Sequence, residues 1–252
     1  MFRFLLLMMA LLCLPVAGMA EAPLTFADDL EAVYTWPEGS TVEEAAYVYR
    51  AVYPQIAGDS ALAMTINNVF QYEASDALGF ECPMIGSSHD PALGQMQVSL
   101  SYEITHLSEQ YLCVRVDKQV VAGDVSSHVV KAFNFGLTGE KAGTVTSLPY
   151  LLGLMKPGET DEWYVDRQTL KADTCAREMV WAEIQKAQRD AGLQLYDDLT
   201  YEEFEWCFYP EEDFYLDAEG NFVFFIQENV IAPQAAGQFF FTVSMDDMLD
   251  EI

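Results

Sequence analysis

The chain has 252 residues, with 40 Asp and Glu against 12 Lys and Arg and a formal net charge of −28. That balance excludes nucleic acid as a ligand, because phosphate binding depends on Lys and Arg displacing counterions. The content of 51% hydrophobic and 13% aromatic residues excludes a disordered polyanion, which lacks the apolar side chains needed to bury a core.

Arg3, the apolar run from Phe4 to Val16 and the small residues Gly18-Met19-Ala20 have the order of a secretory signal peptide. Residues 1–20 are therefore expected to be removed and the remainder to be extracytoplasmic: secreted, periplasmic or in the cell envelope. No later segment stays apolar over the roughly 20 residues that a membrane span requires, so no span is expected after cleavage. Loss of Arg3 takes the charge to 11 − 40 = −29.

Residues 21–46 read as an acidic lead-in with a turn at Trp36-Pro37-Glu38-Gly39. Tyr47 to Tyr53 alternates and is rich in strand formers, and Pro54 stops it. Asp59 or Ser60 is placed to cap a helix over about residues 59–78, whose apolar positions Leu62, Ile66, Val69 and Phe70 recur at helical spacing. Pro83, Gly86, Ser87, Ser88, Pro91 and Gly94 then read as a loop.

Three alternating segments follow, Gln95 to His106, Tyr111 to Val121 and Ser126 to Phe135. Turns this short between strands force antiparallel pairing, so the three form a β-meander. Thr146 to Leu152 has room for one helical turn. Ala172, Ala176, Val180, Ile184, Ala187 and Ala191 then mark the apolar face of a long helix over about 166–191, which Gly192 ends. Thr200 and Glu203 have capping-box spacing before another short helix.

The chain closes with a hairpin, Asp213 to Leu216 and Asn221 to Gln227 around the turn Asp217-Ala218-Glu219-Gly220, then a loop from Ile231 to Gly237 and a strand from Gln238 to Val243. Strands and helices are grouped rather than alternating. The expected fold class is α+β, an antiparallel β-meander and C-terminal hairpin packed against the long helix and the N-terminal helix.

Charge is unevenly placed along these elements. Asp190 to Ile252 holds sixteen Asp and Glu and no Lys or Arg, interleaved with Tyr201, Phe204, Trp206, Phe208, Tyr209, Phe214, Tyr215 and Phe222. A foldable acidic stretch holds its charge outward, toward a cationic partner or an ion. Four of the five cysteines remain once residues 1–20 are removed, and in an oxidising compartment Cys82, Cys113, Cys175 and Cys207 would form two disulfides, with Cys82–Cys113 and Cys175–Cys207 as the local pairing among three connectivities.

No catalytic pattern is present. His89, His106 and His128 read as surface or structural residues, and no H-E-x-x-H, G-x-S-x-G or C-x-x-C occurs. Glu211, Glu212, Asp213 and Asp217 cluster near the hairpin but lack the order of a calcium-binding loop. No metal or cofactor is expected.

The segment DFYLDAEGNFVFFIQENVIAPQAAGQFFFTVSMDDM, Asp213 to Met248, resembles the C-terminal signature of the RsiV-type extracytoplasmic domain, a domain of unknown function. That domain occurs in a lysozyme-sensing anti-sigma factor and in some peptidoglycan deacetylases. VYPQIAGDSALAMTINNVF, Val52 to Phe70, is similar to the opening of the companion N-terminal deacetylase-associated domain in the same proteins. The resemblance implies two lobes, residues 47–143 and 144–252.

What it implies about function is a non-enzymatic binding domain whose acidic surface engages a cationic protein, in the family a lysozyme-like muramidase. Tyr209, Glu211, Glu212, Asp213, Ala232 and Pro233 are the expected contact residues. A domain that holds a peptidoglycan fragment or another small ligand is the alternative, and a carboxylate-dependent hydrolase is a third.

Overall fold

In a computed structural model of the protein, residues 24–156 and 158–252 are described. Side-chain alternation organises the larger sheet. Its strands are β1 (Leu30–Trp36), β2 (Tyr47–Tyr53), β3 (Met96–Leu107), β4 (Tyr111–Ala122) and β5 (Val125–Gly136), hydrogen-bonded in that order. The meander β3-β4-β5 is antiparallel, as the short turns require. β2 pairs with β3 in parallel, and a parallel pair needs a long crossover.

Helix α1 (Ala61–Asp76), a π turn over Ala77–Glu81 and helix α2 (Cys82–Ser88) supply that crossover. The Ser60 side chain caps α1 by accepting from Ala63 N. Because successive strand residues face opposite ways, Tyr47, Tyr49, Ala51 and Tyr53 share a face with Val98, Leu112, Val114, Val116, Phe133 and Phe135. Ala63, Ile66, Phe70 and Ala74 of α1 pack onto it. Phe70 lies edge-on to Phe133 and Phe135, with centroids 5.3 Å and 5.6 Å away.

The opposite face presents Cys113 and Val130 to a second core. There the small antiparallel sheet β6 (Phe214–Leu216), β7 (Phe222–Ile226) and β8 (Phe239–Val243) is covered by α4 (Glu162–Ala191) through Ala172, Ala176, Val180 and Ile184. The Asp161 side chain caps α4 by accepting from Trp163 N at 3.1 Å, and Gly192 ends it at φ 68°, where a side chain would strain the backbone. Short helices α3 (Leu148–Leu151), α5 (Tyr201–Cys207) and α6 (Met245–Glu251) complete the layer. Both halves of the capping box at Thr200 and Glu203 are formed.

The α+β class, the meander, the hairpin and both principal helices agree with the sequence reading, and four details differ. The lead-in contributes β1, which pairs along its whole length with β2. Residues 82–88, read as a loop, are helical. Pro83 is tolerated in the first turn, and Gly86 is needed because a Cβ there would lie 2.7 Å from Trp36 Cβ. α6 was not anticipated.

The disulfides are the fourth. All four thiols are free. Cys82 belongs to the core under α1 and Cys113 to the core under the small sheet, so the five-stranded sheet separates them. Cys175 Sγ faces Met179 Sδ at 3.8 Å and Met248 O at 4.0 Å, while Cys207 Sγ lies 3.4 Å from Phe204 O. The pairing expectation ignored strand alternation, which assigns a cysteine to a face whatever its distance along the chain. The expected signal peptide lies outside the described residues, and among these no helix is long and apolar enough to cross a membrane.

Candidate functional site

The stretch from α5 to β6 is built from α4 outward. Arg177 of α4 donates from Nε to Phe208 O at 3.3 Å, and its Nη2 lies 3.9 Å from Glu211 Oε2. The chain then turns sharply, with Glu212 N and Asp213 N both donating to Tyr209 O at 2.9 Å. Tyr209 Oη donates to the backbone O of Trp206 at 2.9 Å, which holds the Tyr209 ring at the end of α5. Trp206 is 76% exposed and Tyr209 49%. Glu202, Glu205 and Glu212 are exposed around them. The result is an aromatic ridge set among carboxylates.

Beneath the ridge are acids of another kind. Asp173 of α4 is only 7% exposed. Its Oδ1 and Glu211 Oε2 are buried with no hydrogen-bond partner. Burial pushes the Asp173 carboxyl up to about 6, with Glu211 adding to the rise and Arg177 opposing it. Asp213 is also raised to about 6, mainly by burial, against a backbone hydrogen bond from Tyr209 that favours its charged form. Asp173 and Asp213 therefore take up a proton at a higher pH than an ordinary carboxylate does.

Of the expected contact residues, Tyr209, Glu211, Glu212 and Asp213 thus share one segment, but only Tyr209 and Glu212 are exposed. Ala232 and Pro233 belong to another connection, with Ala232 buried and Pro233 exposed. Among the described residues no hydrogen bond joins that connection to residues 208–213. Its role is visible in its neighbours. Gln227 accepts from Val130 N at 3.0 Å and donates to Val130 O at 2.7 Å, as a paired strand would. Glu228 accepts from His128 N at 3.1 Å, Gln234 donates to Ser126 O at 2.7 Å and Gln238 donates to His128 O at 3.1 Å. Four side chains therefore close the outer edge of β5.

Sequence reasoning missed Asp173, Arg177 and these edge-closing side chains. Asp173 left a signal, a carboxylate beside Ala172 and Ala176 on an otherwise apolar helix face with Arg177 four residues on. The amide side chains left none, because their partner strand is about 100 residues away.

The histidines serve separate purposes. His89 Nε2 lies 2.7 Å from Gly94 O and His106 Nδ1 lies 2.7 Å from Asp217 O. His128 Nε2 lies 3.1 Å from Asp117 Oδ1 at a shallow hollow of about 420 Å³ that Ser99, Ser101 and Ser126 also line. Among the described residues no serine hydroxyl donates to that ring, so the arrangement lacks the relay that activates a serine nucleophile. Asp217 is occupied by its own turn, accepting from Glu219 N, Asn221 N and Asn221 Nδ2 at 2.8–3.0 Å. Among the described residues no group of three or more His, Cys, Asp and Glu is arranged to hold a metal ion.

Comparison with known proteins gives the domain and the fold. No curated protein matches the chain. A DUF3298 family protein from Pseudomonas aeruginosa PAO1 has a similar structure, with 11% identity, coverage of 91% of this chain and 94% of that chain, and a TM-score of 0.54. A member of the same family from Bacteroides fragilis NCTC 9343 is similar at 13% identity, covering 89% of this chain and 92% of that chain, with a TM-score of 0.50. Residues 167–246, from α4 through β8, match the family described as "Protein of unknown function (DUF3298)".

Proposed function

We propose that this protein is a non-enzymatic extracytoplasmic binding module of the RsiV type, with residues 47–143 as the companion deacetylase-associated lobe. Its acidic surface engages a cationic protein, for which a lysozyme-like muramidase is the candidate. The observation that carries this reading is the exposed Trp206–Tyr209 ridge among Glu202, Glu205 and Glu212, in a stretch with no Lys or Arg of its own. Large exposed aromatics amid like charge suit a docking surface. The carboxylates accelerate encounter with a cation, and the rings, once desolvated, contribute most of the affinity.

Calorimetric titration with hen-type lysozyme, at about 50 mM and about 300 mM salt, tests the proposal. Binding is expected at low salt and to weaken about tenfold or more at high salt. Trp206→Ala is expected to weaken it by about tenfold, or ~1.4 kcal/mol. Cytochrome c, a basic protein with no muramidase fold, serves as the control for charge alone. No heat with lysozyme at low salt, or equal affinity for the control, would sink the muramidase reading.

A further inference from the structure

The face of the five-stranded sheet under α1 is largely apolar, and it also carries two lysines. Lys118 of β4 and Lys131 of β5 project to this same face. Their register partners are Val129 and Val116, so the two lysines are diagonal neighbours across one strand pair. Each is met by a carboxylate from the crossover. Lys131 Nζ donates to both oxygens of Glu73 at 2.8 Å, and Lys118 Nζ pairs with Glu81, the last residue of the π turn.

The helix and the lysine rows do not close on one another. They enclose a cavity of about 210 Å³, with Tyr49 and Tyr53 at its inner end and Val116, Leu100 and Phe133 forming apolar wall. Asp76 stands at the rim as a further acid with no ion pair among the described residues. A cavity of about 150 Å³ is enough for a benzene, so this one has room for a molecule of amino-acid size. A π turn at the rim is also where helices often carry binding sites.

The charges select the ligand. An ammonium has three donors, and each lysine retains at least one beyond its bond to Glu73 or Glu81. A simple anion entering here meets three carboxylates against two lysines, and a simple cation meets the two lysines. A molecule carrying both signs places its carboxylate against Lys118 and Lys131 and its ammonium against Asp76 and the paired glutamates. We propose that this cavity binds a small zwitterion, a free α-amino acid with a short apolar side chain. The site lies on the other side of the five-stranded sheet from the core that supports the acidic ridge, so it is independent of the docking reading.

The experiment is a titration of the whole protein, followed by calorimetry and by tyrosine fluorescence. The probes are alanine, valine and leucine in both enantiomers, their amides, their N-acetyl forms and alanyl-alanine. One saturable site is expected, with at least one free amino acid binding about tenfold or more tighter than either blocked form and than the dipeptide. Lys118→Met and Lys131→Met, which keep the aliphatic stem, are each expected to lose about tenfold in affinity. Lys186→Met, on the outer surface of α4, and Trp206→Ala are expected to change nothing. Asp76→Asn, at an exposed position, supplies a variant that tests the ammonium side even where a lysine variant fails to fold. Equal binding of the N-acetyl form means that the cavity reads a carboxylate alone and overturns the proposal. So does an amino acid affinity unmoved by the Lys118, Lys131 and Asp76 variants, or no binding across the panel.

Discussion

The two sheets treat charge in opposite ways. In the five-stranded sheet, cations sit among the acids: Arg115 bridges Glu103 and Asp117 at 2.9 Å each, Lys118 meets Glu81 and Lys131 meets Glu73. Around the three-stranded sheet the acids of residues 190–252 have no Lys or Arg in their own stretch, and Arg177 reaches Glu211 only at 3.9 Å. A stretch so acidic folds because its charge is partly put to use. Several of its carboxylates have local work: Glu203 completes a capping box, Asp217 holds its turn, and Asp246 and Asp247 occupy the first turn of α6, where the helix dipole favours negative charge. Glu205 and Glu212, around Trp206 and Tyr209, are among those with no such task. Charge in the first sheet is met by opposite charge, and much of the charge around the second is not.

The largest test of that comparison asks whether the two regions are separable. Phe70→Ala removes the centre of the core under α1, and Phe224→Ala does the same between the small sheet and α4. Each is expected to cost about 3–5 kcal/mol. Since Cys113 and Val130 carry the five-stranded sheet into the second core, both variants should lower a single cooperative transition in thermal or denaturant unfolding. Two resolved transitions, with only one moved by each variant, would show that the regions fold separately.

The next test breaks the joint itself. Gln227 satisfies both backbone groups of Val130, and Gln227→Ala leaves that N–H and C=O to find water at a partly buried edge. A loss of about 2 kcal/mol is expected, with faster hydrogen exchange of the Val130 amide as the local readout. Unchanged exchange there would remove the view that side chains replace a strand at this edge.

What the sequence discloses divides along physical lines. Alternation in β3, β4 and β5 and three-to-four spacing in α4 are properties of a segment by itself, so they are legible, as are Gly192, the Thr200 capping box and the Asp217 turn. The parallel partner of β2 is not, since it arrives after an excursion of more than 40 residues and nothing within Tyr47–Tyr53 names it. Helix α2 is hidden because Pro83 and Gly86 ordinarily break helices, and only the close approach of Trp36 explains the glycine. The cysteine pairing failed for a related reason: chain proximity of Cys82 and Cys113 carries no information about which side of a sheet each occupies. At the candidate ridge, the aromatic and acidic composition of the segment is legible, and Tyr209 and Glu212 are exposed in it. Asp173 and Arg177 contribute from a helix 36 and 32 residues earlier than Tyr209, a pairing that only the fold creates.

A smaller effect sharpens the difference between buried and exposed acids. Asp173 and Asp213 titrate near 6 in the folded protein, above the ordinary carboxylate value of 3.8. Between those values the native state holds protons that the unfolded chain has released, so this stabilisation is complete below about 3.8 and is lost as pH rises through about 6. Going from pH 7 to pH 5 should therefore raise unfolding free energy by about 1 kcal/mol for each group. Relief of general repulsion acts in the same direction, which makes Asp173→Asn the discriminating variant. It should flatten the slope between pH 5 and pH 7 and raise stability at pH 7, whereas an unchanged slope would place the protons elsewhere.

The smallest effect on stability is expected where the effect on binding is expected to be large. Trp206 and Tyr209 project from the ridge, and replacing exposed side chains away from caps and cores usually shifts stability by no more than about 0.5 kcal/mol. Trp206→Ala should leave the unfolding midpoint where it was while the cationic protein dissociates faster, because truncating an anchor acts mainly on the off-rate. Glu212→Gln, also exposed, should instead slow association and reduce its salt dependence, since a rim charge acts on encounter. The two variants together separate the ring from the charge. If Trp206→Ala destabilises the fold by several kcal/mol, the indole is holding the second core together from outside, and the ridge loses its standing as a surface kept free for a partner.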